Sequence, residues 1–185
     1  MFTNLSFYLF FGIVLLIYWL LKKRARKNAF LLLASYAFYF YFDVVFGLLM
    51  LGLCAADFLL ARGIAHWPEK RKRYLWISLI LNVGGLVVMR HFGFFADSLN
   101  LILGNLGSQI NASLLAPLGI SFYTLKKLDY LINVYKGTQK PTSRFVDYAL
   151  FVAFFPQIQA GPIDSARNLL KQISQPRAWN ASFFH

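Results

Sequence analysis

Acidic side chains are scarce in this chain. Its 185 residues hold only seven Asp and Glu against nineteen Lys and Arg, and charged residues of either sign make up 14%. An ordinary soluble domain carries about 25% charged residues, so a fold surrounded by water on all sides is disfavoured. Cysteine is scarcer still. Cys54 stands alone in an apolar run, which excludes a disulfide framework and any cysteine metal motif; a small packing residue is the plain reading. Histidine occurs three times, at positions 66, 91 and 185, and no two are spaced as metal ligands.

What is abundant points the other way. Hydrophobic residues reach 58% and aromatics 18%, with twenty Phe, ten Tyr and four Trp. That richness fits a bilayer with aromatic side chains at its interfaces. The net charge of +12 could serve nucleic acid or anionic lipid. The basic residues cluster between apolar runs, so the lipid bilayer is the expected partner and nucleic acid is not.

The first run, "LSFYLFFGIVLLIYWLL" (Leu5–Leu21), is followed rather than preceded by basic residues. No small-residue cleavage site follows it. It reads as an uncleaved span and not as a signal peptide. "KKRARK" (Lys22–Lys27) then places five basic residues in six, a cytoplasmic topology signal. Residues 29–42 and 44–61 flank Asp43. As one helix they would run about 50 Å at 1.5 Å per residue, too long for a single ordinary crossing of a ~30 Å core. "RGIAHWPEKRKR" (Arg62–Arg73) is again basic. Two basic loops on one side require an even number of crossings between them, so a helical hairpin with its tip near Asp43 is expected. Asp57, on the returning helix, either reaches the interface or pairs with a basic group in the bundle. Residues 74–89 cross again, with Gly84–Gly85 allowing close helix approach or a kink.

Leu99, Ile102, Leu103, Leu106 and Ile110 share one face of a helix, expected to be interfacial or to flank a tunnel. "LAPLGISFYTLKKLDYLINVY" (Leu115–Tyr135) is too apolar for a soluble loop, yet holds Lys126, Lys127 and Asp129. They lie in the bundle interior or a wet cavity, or the lysines snorkel to the surface, or they meet an anionic group. Helix spacing lets Lys126 and Asp129 touch at i, i+3. It keeps Lys127 and Asp129 apart at i, i+2. The expected pair is Lys126–Asp129, leaving Lys127 for a lipid or donor phosphate. In "RFVDYALFVAFFPQIQAGPI" (Arg144–Ile163), Pro156 breaks the helix, Gln157 and Gln159 add amides, and Gly161–Pro162 ends the segment. Broken backbone at membrane depth needs protein or water around it, so this segment is expected to line a site. "DSARNLLKQI" then reads as a short amphipathic helix at the membrane surface, capped by Asp164 or Ser165.

The expected fold is therefore all-α: a polytopic membrane helical bundle with broken or re-entrant segments and short amphipathic interfacial helices. Spans are expected at about 5–21, 29–42, 44–61, 74–89, 114–135 and 145–163.

Two segments carry a family resemblance. "PLGISFYTLKKLDYLINVYKG" (Pro117–Gly137) resembles the signature segment of the membrane-bound O-acyltransferases, in the bacterial branch that O-acetylates alginate. That pattern runs roughly PLGISFYTFQ-x-L-x-Y-x-I-D-V-Y-R-G. "FFPQIQAGPI" (Phe154–Ile163) resembles the family's FFPQ-x-x-AGP. "LLLASYAFY" and "FADSLN" also fit, in the expected order along the chain. Departures fall at Leu125, Lys126, Asn133 and Gln159. The resemblance implies transfer of an acyl group, acetyl in this branch, from a thioester donor (acyl-CoA or an acyl-carrier protein) to hydroxyls of an exported polysaccharide or another cell-envelope acceptor. No cofactor or metal is held. It further implies the bacterial inner membrane and a periplasmic acetylation partner protein; with Lys22–Lys27 and Arg62–Arg73 both cytoplasmic, the multi-pass chain is expected to have a periplasmic N-terminus.

Ser121, Tyr123, Thr124, Lys126, Lys127, Asp129, Tyr130, Gln157, Gly161 and Pro162 are the expected tunnel-lining residues. Family members run much longer, with a histidine general base in their second half, and none of the three histidines here matches it. The chain is therefore expected to be an N-terminal portion, inactive by itself and without an assigned catalytic residue. A non-catalytic membrane scaffold or a transporter subunit is the alternative reading.

Overall fold

The computed structural model describes residues 5–103, 119–157 and 165–175. Within these the chain is helical, with no strand: α1 (Leu5–Leu20), α2 (Arg24–Phe42), α3 (Val44–His66), α4 (Arg71–Leu79), α5 (Gly85–Arg90), α6 (Phe92–Leu103), α7 (Ile120–Lys136), α8 (Phe145–Ala153) and α9 (Ala166–Ser174). The all-α membrane class is as expected. Two continuous helical stretches, Val44–His66 and Pro68–Arg90, are each 23 residues long and apolar enough to cross a membrane. On α1, Leu5, Leu9, Ile13, Leu16 and Leu20 all stay exposed on the bundle's outer surface. Their spacing marks one stripe of a helix, the face suited to lipid.

The hairpin tip falls at Asp43. Its backbone is extended (φ −161°, ψ 121°), and its side chain accepts a 3.0 Å hydrogen bond from Phe46 N, capping α3. One residue thus ends α2 and starts α3, because an N-cap aspartate satisfies a donor that the new helix leaves open. Gly47, one turn on, lets the two arms close. A Cβ there would stand 2.5 Å from the Phe40 ring. Gly47→Ala should therefore displace Phe40 and cost about 1–3 kcal/mol as an overpacking change. Thermal unfolding in detergent measures it, and Phe40→Leu in the same chain should return part of the loss.

Gly84 and Gly85 behave differently. Among the described residues neither has an atom within 4 Å of where a Cβ would sit, so no close helix approach is seen at either. The chain instead makes a π-turn over Ile80–Gly84. Such turns open the helical ladder by one residue and are a recognised cause of kinks. The side chain of Asn82, in that turn, bonds back to the Ser78 carbonyl at 2.9 Å.

The basic clusters gather at one end of the bundle. Arg24 pairs with Asp147 at 3.2 Å, and Arg71 lies over the Tyr135 ring at 4.6 Å. The starts of α2, α4 and α8 and the end of α7 therefore adjoin. Lys27 is not spread into solvent. It is buried, with its ammonium 4.7 Å from the centroids of both Tyr18 and Trp19, which fastens α1 to α2.

The last described helix keeps its expected cap and stripe. Ser165 is its N-cap, bonding Asn168 N, and Asp164 lies outside the described residues. Ala166, Leu169, Leu170 and Ile173 form its apolar face as the spacing predicts. That face is buried against α7 and α8, and both ends of the helix are tied to the bundle.

Candidate functional site: a polar seam along the signature helix

α7 is the spine of the site. Gly119 precedes it and Gly137 follows it, both in the left-handed region (φ 73° and 75°). Gly137 closes the helix in a Schellman arrangement, with Thr138 N on the Asn133 carbonyl at 3.0 Å. The matching glycines of the signature thus set the helix boundaries, since other residues adopt this conformation at a cost.

Between them, Ile120, Tyr123, Thr124, Lys127, Tyr130, Leu131 and Val134 are buried. The stripe has helical period and carries four of the expected site residues. Tyr130 is fully buried against Tyr148 (ring centroids 4.8 Å), and its hydroxyl accepts from Thr142 N at 2.9 Å. Ser121, Lys126, Asp129 and Gln157 flank the stripe and are partly buried. Gly161 and Pro162 lie outside the described residues, as do Leu106 and Ile110 of the apolar stripe and His185.

Neither lysine has the partner expected of it. Lys127 is the ion-paired one: its Nζ stands 3.2 Å from Asp57 Oδ2 on α3, and both side chains are 0% exposed. Asp57 Oδ1 accepts a 2.7 Å hydrogen bond from Asn82 Nδ2 in the π-turn. Of the two readings of Asp57, pairing inside the bundle is the one observed. Lys126 does not pair with Asp129; its Nζ donates to Gln157 Oε1 at 2.8 Å. That bond joins the two family-like segments directly.

Asp129 has stronger claims on its oxygens. Oδ1 accepts from Asn133 Nδ2 at 2.8 Å and Oδ2 from Ala166 N at 2.7 Å. The second bond caps the start of α9, where a carboxylate meets open N–H groups and the positive end of the helix dipole. The departure at Asn133 also becomes intelligible. An aspartate there, as in the family pattern, would set a second anion at i, i+4 from Asp129, whereas the amide donates to it.

A second polar knot holds the other end of α9. Asn28 Nδ2 donates to Asp147 Oδ1 at 2.8 Å and to the Ile173 carbonyl at 3.0 Å, and Arg24 donates to both Asp147 Oδ2 and the Ser174 carbonyl. The sequence reading did not single out Asn28, Asp147 or Asn82. Asn82 and Asp147 showed only as polar residues amid apolar neighbours, and Asn28 only as the polar residue that ends a basic run; each becomes a site only when a distant partner is known.

His66 is exposed and packs edge-on with Trp67, while His91 is exposed beyond the end of α5. Neither reaches the seam. Cys54 is fully buried within it, one helical turn from Asp57.

These features define an integral membrane helical bundle organised around a buried ionic seam on a motif-bearing helix. Over 93% of its length this chain is 33% identical to the probable alginate O-acetylase AlgI of Pseudomonas aeruginosa and 35% identical to that of Pseudomonas putida. It is 32% identical over 92% of its length to a peptidoglycan O-acetyltransferase of Helicobacter pylori. It is a homologue of these proteins, as its motifs indicated. The chain spans 34%, 36% and 38% of the respective relatives. No family model and no solved structure matches it.

Proposed function

We propose that the chain forms part of an integral inner-membrane O-acetyltransferase. It would move an acetyl group from a thioester donor to a hydroxyl of an exported polysaccharide or cell-envelope acceptor, with a periplasmic partner protein. The observation that carries this reading is the Lys126–Gln157 bond, which brings together in space the two segments that resemble the family. The relatives' names support the acceptor class: alginate and peptidoglycan are both cell-envelope or exported glycans. On this reading α7 and the turn after α8 line the route of the substrates, and Lys126 and Gln157 hold that wall in place as positioning residues. The basic end of the bundle faces the cytoplasm, with the N-terminus on the periplasmic side.

Acyl transfer needs a base within hydrogen-bond reach of the acceptor hydroxyl. Among the described residues His66 and His91 stand away from the seam, and since the chain spans about a third of its relatives' length, on this reading a longer product supplies the base. The test compares two membrane preparations supplied with acetyl thioester and polysaccharide. Membranes bearing only these 185 residues should transfer no acetyl group above background, and those bearing the full product of the gene should. Transfer by the 185-residue chain that vanishes in His91→Ala would overturn the division of labour. A full product without transfer to any glycan would overturn the reading.

A further inference from the structure

We propose that the buried seam between α3, α7 and the π-turn is a hydrated site, holding ordered water that the Asp57–Lys127 pair and Asn82 bind together. The argument is one of unmet hydrogen-bonding capacity. Lys127 Nζ, Asp57 Oδ2 and Asn82 Oδ1 are all buried without a hydrogen-bond partner among the described residues. The Lys127–Asp57 contact is an ion pair at 3.2 Å without hydrogen-bond geometry. Asn82 Nδ2 is bonded to Asp57 Oδ1, so the three open atoms belong to one contiguous cluster. An ammonium with free donors beside two free acceptor oxygens matches water, which accepts from the one and donates to the others. A buried ion pair is tolerated only when further bonds satisfy its remaining donors and lone pairs, and lipid supplies none. Buried waters typically make two to four such bonds.

The hydroxyls of Tyr36 and Tyr148 are open as well. Tyr148 packs on Phe58, the chain neighbour of Asp57, with ring centroids 6.2 Å apart, which extends the polar region from α3 toward α8. The site stands apart from the acyl-transfer reading and does not depend on it. Its ligand is water, and its consequence is that fully buried neighbours, Cys54 and Tyr148, adjoin solvent trapped inside the bundle.

Hydroxyl-radical labelling by brief X-ray pulses tests this, because water bound in a protein is split where it sits. The full chain in membranes, equilibrated in 18O-water, should take up oxygen at Cys54 and Tyr148 although both lack exposed surface. Exposed Tyr41 serves as the positive control. In the Asp57→Leu/Lys127→Met variant, whose seam has lost its ion pair, most of the uptake at both should be lost. A wild-type chain labelled at Tyr41 but not at Cys54 or Tyr148 would overturn the proposal. Equal labelling in wild type and folded variant would also do so. If the variant does not fold, the wild-type comparison alone decides.

Discussion

Lys127→Met should remove most of the folded protein recovered in detergent, and Lys126→Met should not. Methionine at 127 leaves the Asp57 carboxylate buried with only Asn82 to serve it. Stripping one partner from a buried pair costs roughly 3–5 kcal/mol, a large share of the about 5–15 kcal/mol that holds a typical domain together. Asp57→Leu should be as severe, since it strands the ammonium instead. Lys126 is only partly buried; among its contacts is a charge-assisted bond to Gln157, worth about 1.5–3 kcal/mol, with Gln157 able to turn to another donor. Comparing the folded yield and thermal midpoint of the three variants orders the two lysines. If Lys126→Met proved the more damaging, the assignment of partners along α7 would be wrong.

Asp147→Ala should release α9. Asp147 is buried and receives Asn28 and Arg24, the same two side chains that hold the Ile173 and Ser174 carbonyls. Without the carboxylate the amide and guanidinium lose their anchor, at a cost of about 2–3 kcal/mol for charge-assisted bonds. The apolar face of α9 is small, four side chains on nine residues, so its docking leans on these ties and on the Asp129 cap. Hydrogen exchange reads the effect locally: the amides of residues 169–174 should lose protection in Asp147→Ala while those of α3 keep theirs. Unchanged protection of α9 would mean that its apolar face suffices. A uniform loss across the bundle would mean that the knot holds the global fold and not this helix.

Much of this architecture was legible in the sequence because hydrophobic periodicity and breakers act locally. Asp43 between two apolar runs marked the turn into α3, and an aspartate that caps a helix does so through its own next turn. Pro156 marked the break after α8. The helix ends at Ala153 and a single 3-10 turn follows over Phe155–Gln157, as expected where the proline ring and its missing donor disfavour α-helix.

The partners of the charged residues were not legible. Lys126 and Asp129 are close on any helix, but closeness along a helix decides a pair only when no better partner arrives from elsewhere. Here Asn133, one turn on along the same helix, takes one Asp129 oxygen, the open N-terminus of α9 arrives at the other, and Gln157 arrives at Lys126. Asp57 and Lys127 meet through tertiary packing, which pattern reading does not resolve. The π-turn was hidden for a related reason: Gly84–Gly85 announced a kink, but its form depends on Asn82 reaching Asp57 across to α3.

The central claim is that membrane-depth charge on α7 is held by a specific partner on α3. A double-mutant cycle on Asp57 and Lys127, read as unfolding free energy in detergent, tests it most directly. The account predicts that Asp57→Leu/Lys127→Met is more stable than either single variant, with a coupling of roughly 2 kcal/mol or more, because the apolar pair leaves no stranded charge. Additive losses, with the double variant the least stable of the three, would show that the two residues do not act as a pair.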